Sequence, residues 1–205
     1  MIDMDIAEIF KAGGIVMYAL VLCSIAVAAI MIDRFLLYRR AEKELESFVM
    51  QLPLLFSYAS LTDVYEKIKD KDNAAACLVQ AGVKAALDGG DVRLALDNAY
   101  GQVAAQLRCR MNYLSMIVTL SPLLGLLGTI GGMISSFQIF NLQAGQPLAI
   151  TGGIGEALTA TATGLCVAIF ALVVHTYFAG KMDTVLTQAE QAEAFVAAEL
   201  RKRGA

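Results

Sequence analysis

Apolar residues in this 205-residue chain fall in three long blocks separated by polar stretches. The first, "GGIVMYALVLCSIAVAAIMI" at 13–32, has about the 20 residues that a helix needs to cross a bilayer. The second, "MNYLSMIVTLSPLLGLLGTIGGMISSFQIF" at 111–140, and the third, "ITGGIGEALTATATGLCVAIFALVVHTYFAG" at 150–180, are longer. At 1.5 Å per residue each reaches about 45 Å, against a hydrocarbon core of about 30 Å, so both must tilt or project beyond it. The polar stretches keep a helical period. "AEKELESFVMQL" continues the first block as far as Pro53, Thr62 is a candidate N-cap for "LTDVYEKIKD", and "DNAAACLVQAGVKAALDGG" starts at an Asp/Asn cap and stops at Gly89-Gly90. Asp91 can cap "VRLALDNAYGQVAAQLRCR", which meets no proline before the second block, so the pattern predicts one long helix from 91 to 140. The tail "KMDTVLTQAEQAEAFVAAELRKR" is again helical by period and extends the third block, and no strand or internal repeat is visible.

The expected fold is therefore all-α, a polytopic membrane protein with three transmembrane helices, two of them running on into a cytoplasmic helical domain. Composition agrees: 58% hydrophobic residues, 17% charged residues and a mean hydropathy of +0.62 exceed what a soluble domain of this size carries. A cleaved signal peptide is the other reading of the first block. Its acidic leader "MIDMDIAEIFK", its long apolar core and the arginines Arg34, Arg39 and Arg40 where a cleavage site should be speak against that.

Charge sets the expected topology. Lys and Arg number 1 before the first block, 11 between the first and second, 0 in the connector "NLQAGQPLA" and 4 after the third. The positive-inside rule then puts the amino terminus and connector outside and the middle segment and tail in the cytoplasm. The expected division is 1–12 a periplasmic or interfacial helix, 13–33 the first span, 34–110 a cytoplasmic helical segment, 111–140 the second span, 141–149 the connector, 150–180 the third span and 181–205 a cytoplasmic helix.

Between Met111 and Gly180 the ionisable side chains other than Tyr and Cys are Glu156 and His175. An ionised carboxylate costs a few kcal/mol in hydrocarbon, so an intramembrane acid faces a bundle interior or a watery cavity. Desolvation disfavours its charged form, which makes Glu156 a candidate for a group that gains and loses a proton. The alternative is an acid that snorkels to the interface or only fixes packing. Thr159, Thr161 and Thr163 follow it with hydroxyls, and Thr129 supplies one in the second span; each can serve a proton or water path, or merely bond a carbonyl one turn back. Gly125, Gly128, Gly131, Gly132 and Ser135 in the second span, and Gly153, Ala157, Thr161 with Ala160, Gly164 and Ala168 in the third, form small-residue faces that let helices approach closely. Three helices cannot easily cover both faces and shield a carboxylate, which implies an oligomer or a partner helix. His175 stands without a companion His, Cys or acid and is read as an interfacial side chain rather than a proton relay or metal ligand. Cys23, Cys77, Cys109 and Cys166 lie too far apart for a metal motif, so no metal or cofactor is expected. A net charge of -3 without a basic, aromatic-rich block argues against nucleic acid.

"SPLLGLLGTIGGMISSF" followed after a short connector by "GGIGEALTATATGLCVAIFALVVHTYF", with "IDRFLLYRR" after the first span, resembles the signature of the MotA/TolQ/ExbB proton-channel family, nearest to ExbB and TolQ. The resemblance implies a homopentamer around a dimer of an ExbD- or TolR-like single-span protein whose span carries an essential Asp, with a TonB- or TolA-like protein as a further partner. It implies that Thr129, Glu156 and Thr161 line a lumen facing that Asp, and that proton flow drives rotation of one subunit type inside the other. The family's third-span proline is replaced here by Phe170, a frequent tryptophan by Gly131, and a terminal "Y-N" by His175-Thr176. Loss of the proline should remove a kink. Against this motor reading stand a purely structural scaffold for the partner and, more remotely, an intramembrane serine protease. Ser121 precedes a proline, and Ser135-Ser136 lie toward the opposite end of a span from His175, so the chain is not expected to be an enzyme.

Overall fold

The computed structural model describes residues 14–142 and 147–204, without the side chains of 139–142 and 147–151. The expected helix over 1–12 and the middle of the connector lie outside the described residues. The described residues form seven helices in order: α1 Val16–Glu42, α2 Leu45–Tyr58, α3 Leu61–Ile68, α4 Ala74–Leu87, α5 Val92–Arg108, α6 Met111–Leu142 and α7 Pro147–Lys202. No strand occurs among the described residues. Three helical stretches are long and apolar enough to cross a membrane. α7 joins the third apolar block and the tail in one helix of 56 residues that is uninterrupted at Phe170.

Contacts divide the chain into two compact units. An apolar unit combines the chain up to Ile32 with Arg110–Thr176, and a polar unit combines Asp33–Cys109 with the chain from Tyr177 onward.

In the polar unit the helix ends follow from local chemistry. Ser60, not the expected Thr62, caps α3. Its hydroxyl accepts from the Asp63 N–H, and the Asp63 carboxylate accepts from the Ser60 N–H, a reciprocal pairing that needs an acid three residues after the cap. Asn73 and Asp91 cap α4 and α5 as expected, accepting from Ala76 and Leu94 N–H at 2.8 and 3.0 Å. Gly89, at φ 68°, follows the end of α4 in a left-handed conformation that glycine adopts without strain.

Two expected continuous helices are broken. The helix predicted from 91 to 140 stops at Arg108 and restarts at Met111, with Arg110 at φ 64°. Arg34 is buried and donates to the Gln106 carbonyl at 2.9 Å, while the Tyr38 hydroxyl donates to the Leu107 carbonyl at 2.8 Å. Those carbonyls would accept from residues 110 and 111 in an unbroken helix. Side chains one turn apart on α1 take them instead, and the Arg34 cation sits where the dipole of α5 is negative. Asp33 pairs with the same guanidinium at 2.7 Å. The helix expected to run to Pro53 breaks earlier, at Lys43-Glu44, with Glu44 at φ 55°. Pro53 lies inside α2, whose turn away from α1 buries Leu45, Phe48, Leu52 and Phe56 on one stripe.

That stripe joins Val64, Ile68, Leu78, Val79, Leu96, Leu107, Val185, Val196 and Leu200 in a buried core. Tyr38 stacks on Phe178 with centroids 5.4 Å apart, and Phe56 meets Phe195 edge-on at 5.8 Å. Gly82 of α4 allows α5 and the α7 tail to close in, since a Cβ there would lie 2.7 Å from Leu96 Cδ2 and 3.3 Å from Val196 Cγ1. Lys181 on the tail holds Glu42 at the end of α1, 2.6 Å away.

Between α5 and the tail an open groove of about 730 Å³ is lined by Asp97, Glu190, Glu193 and Arg93. Partial burial raises the Glu193 carboxyl above its ordinary value of 4.5, helped by a hydrogen bond with Asp97 and by repulsion from Asp97 and Glu190, while Arg93 acts the other way. The folded chain thus keeps a proton that the unfolded chain releases, so this contribution is complete below the unfolded value and is lost as pH rises through the raised folded value. Glu193→Gln should match the wild-type thermal midpoint below about pH 4.5 and exceed it near about pH 8, measured on purified protein in detergent; an equal difference at both pH values would contradict this.

Candidate functional site

The apolar unit is held by glycine-mediated contact between α6 and α7. A Cβ on Gly125 would lie 3.0 Å from Thr161 Cα and 3.1 Å from the Ala160 carbonyl. One on Gly128 would lie 2.5 Å from Ala160 Cβ, and one on Gly132 would lie 3.0 Å from the Gly153 carbonyl and 3.2 Å from Ala157 Cβ. Gly164 is tighter still, with the Ser121 carbonyl 2.6 Å from the place of its Cβ. Numbers rise along α6 as they fall along α7, so the pair is antiparallel and in contact backbone to backbone over about four turns. Gly125, Gly128, Gly132 and Gly164, the residues expected to serve packing, stand where α6 and α7 come close. Gly131 stands apart: among the described residues no atom of another helix lies within 4 Å of where its Cβ would be.

The expected proton-path residues fall into two groups around α7. Glu156 is part-buried, and its carboxyl lies against Gly14 ahead of α1. Thr159 and Thr163, three and seven residues on, share its flank. Thr161, five residues on, lies about 140° round the helix at roughly 100° per residue. Its hydroxyl crosses to α6 and donates to the Gly125 carbonyl at 3.1 Å. The structure thus brings Thr161 together with Gly125 and Glu156 together with Gly14, and it leaves Glu156 and Thr161 on different flanks of α7. Thr129 lies one turn along α6 from Gly125.

Thr129, Thr159 and Thr163 donate within their own helices, to Leu126, Gly155 and Thr159 carbonyls at 2.7, 2.8 and 2.9 Å. Each hydroxyl proton is committed one turn back, and the oxygen lone pairs remain to accept from water or an acid. Ser136, which the sequence pattern did not single out for packing, donates to the Gly132 carbonyl at 2.9 Å and fills the space beside Gly153. Ser121 is fully buried, with no hydrogen-bond partner for its hydroxyl among the described residues. Gly14 also escaped the pattern: a glycine pair before a span reads as a mere boundary until the fold shows what lies against it. His175 is part-buried on α7, the four cysteines are free thiols, and the described residues contain no cluster of His, Cys, Asp or Glu that could hold a metal.

All three apolar helices leave large side chains exposed, among them Leu22 and Ile25 on α1, Leu126 and Phe137 on α6, and Leu165 and Ile169 on α7. For a soluble chain this would be an aggregation surface; along spans of this length it is the surface offered to lipid or to neighbouring helices.

The α6–α7 contact predicts a sharp contrast between two glycines. Gly164→Ala forces a methyl group onto the Ser121 carbonyl and should lower unfolding stability by about 1–3 kcal/mol. Gly180→Ala meets nothing within 4 Å on the same helix and should be neutral or stabilising by up to about 1 kcal/mol. Denaturant titration of the two purified variants measures the difference, and equal effects would contradict the contact.

Comparison with known proteins bears on the same segment. The model of the MotA/TolQ/ExbB proton channel family matches residues 69–191, which include α6 and the membrane part of α7 with Glu156. The biopolymer transport protein ExbB-like 3 of Synechocystis sp. is 35% identical over 175 residues, covering 82% of this chain and 81% of that protein. Biopolymer transport protein ExbB of Salmonella typhimurium is 28% identical over 179 residues, covering 82% and 73%. The Tol-Pal system protein TolQ of Pseudomonas aeruginosa is 26% identical over 190 residues, covering 84% and 80%. An all-helical chain with three membrane-length apolar helices and a matched segment that contains the acid-bearing pair α6–α7 belongs to the MotA/TolQ/ExbB proton channel family, on its ExbB and TolQ side.

Proposed function

We propose that this chain is the multi-pass subunit of an ExbB- or TolQ-type motor in the bacterial inner membrane, which converts proton flow into mechanical work on the envelope. The observation that carries this reading is Glu156. It is the one acidic residue between Met111 and Gly180, it is only part-buried within its own chain, and it lies in the segment matched by the family.

Glu156 takes the proton-handling role, with the Thr159 and Thr163 oxygens on its flank as acceptors for water. Thr161 ties α7 to α6, and with Thr129 it borders the lumen by likeness to the family. The acid that carries the proton is supplied by an ExbD- or TolR-like single-span partner, a dimer within a homopentamer of this chain. Such a division of labour suits a chain with one acid in two long spans. A TonB- or TolA-like protein receives the work. The exposed glycines Gly131, Gly152 and Gly155, which no described residue covers, suit contact with a neighbouring copy or the partner. The excess of Lys and Arg in 34–110 supports a cytoplasmic position for that segment and the α7 tail and a periplasmic amino terminus.

Glu156→Gln keeps shape and hydrogen bonding while removing the exchangeable proton, and Glu156→Ala removes both. Each should abolish the energy-coupled activity of cells that depend on this chain and leave oligomer size unchanged on native gels. Wild-type activity in both variants would overturn the role given to Glu156.

A further inference from the structure

The Glu156 carboxyl lies against Gly14. Gly14 has φ 66° and stands just ahead of α1, with Met17 N–H donating to its carbonyl at 3.2 Å. A Cβ built on Gly14 would overlap Glu156 Oε1 and lie 3.4 Å from Cδ and 3.9 Å from Cγ. The carboxyl group thus rests on the backbone of residue 14, in the space that any other side chain would fill. Glycine answers two demands here, a left-handed backbone and an empty Cβ position. Asparagine tolerates the first but not the second.

The place has an electrostatic character of its own. The amino-terminal end of a helix carries roughly half a positive charge, which favours an ionised carboxylate beside it. Besides Glu156, the ionisable side chains among the described residues of this unit are Tyr18, Cys23, Arg110, Tyr113, Cys166 and His175. Arg110 precedes α6, about 30 Å along that helix from Gly132, which meets Ala157. His175 is a similar distance along α7 from Glu156. Among the described residues, the head of α1 is therefore the positive pole nearest the carboxyl.

We propose that Gly14 is a positioning residue for Glu156: the turn at the head of α1 leaves the room that the carboxyl occupies and holds it at the amino-terminal end of that helix. The assignment rests on Glu156 as the proton-handling group and extends that reading to the element that orients it. A side chain at position 14 takes the space that the carboxyl occupies, displaces the carboxyl from the helix end, and leaves it more accessible to an apolar carbodiimide, to whose central carbon a carboxyl oxygen adds.

The test is the rate at which dicyclohexylcarbodiimide modifies Glu156 in membranes from cells expressing the full chain, read by mass spectrometry of the Glu156 peptide, with oligomer size as a check on assembly. Gly14→Ala and Gly14→Asn should each raise the rate several-fold. In a Glu156→Asp background, where the shorter side chain withdraws from the turn, Gly14→Ala should change the rate of labelling at position 156 little. If Gly14→Ala fails to assemble, Gly14→Asn carries the test, because it relieves the backbone demand and keeps the added Cβ. Wild-type rates in both variants, or an effect confined to Gly14→Ala, would overturn the proposal. Labelling does not depend on whether Glu156 is needed for activity, so the contact and the functional reading fail separately.

Discussion

Backbone-to-backbone contact between α6 and α7 is the constraint from which the apolar unit follows. Two helices in hydrocarbon gain little from burying apolar side chains against each other, because lipid offers the same environment, so close van der Waals contact and polar bonds must hold them. Gly125, Gly128, Gly132 and Gly164 remove the atoms that would keep the helices apart. The Thr161 hydroxyl then reaches the Gly125 carbonyl, a bond that spans the two helices and needs their axes this close. With α7 pinned along that stripe its rotation is fixed, and Glu156 is turned toward the head of α1 rather than toward α6. The acid's direction is thus a consequence of where the glycines stand.

The polar unit is organised by a different device. Arg34 and Tyr38 on α1 take the last carbonyls of α5, so a sequence with no proline between 91 and 121 nonetheless stops being helical at residue 108. Burying the Arg34 charge is tolerable because Asp33, a helix carboxyl end and a carbonyl acceptor all meet it. On the α7 tail, Val185, Ala189, Ala192, Val196 and Leu200 keep a helical stripe buried against the same core.

The three spans, the all-helical fold and the continuity of α7 were legible in the sequence because block length and period are local properties. The small-residue faces likewise announced close helix packing, but not that α6 and α7 meet each other through them. The breaks at Glu44 and Arg110 were not legible, since no residue at either place forbids a helix; the competing partners come from about 70 residues away in the case of Gln106 and Leu107. Ser60 outcompetes Thr62 as a cap through its spacing from Asp63, a signal that stands in the sequence two residues before the expected cap. Glu156 stood out as an acid in an apolar run, whereas Gly14 did not, because what makes it informative is an atom of a residue distant in the chain. Spacing also grouped Thr161 with Thr159 and Thr163, and helix geometry sets it apart from them.

A proton-conducting motor and a passive scaffold would share this fold, these packing glycines and the same partner. They differ in whether protons cross the bilayer through a path that includes Glu156. Proton flux into liposomes containing this chain with its single-span partner, compared between wild type and Glu156→Gln at matched oligomer content, measures that directly. Flux in the wild type that falls to the level of empty liposomes in the variant is the expected result. Equal flux in the two, or none in either, would contradict a proton path through Glu156.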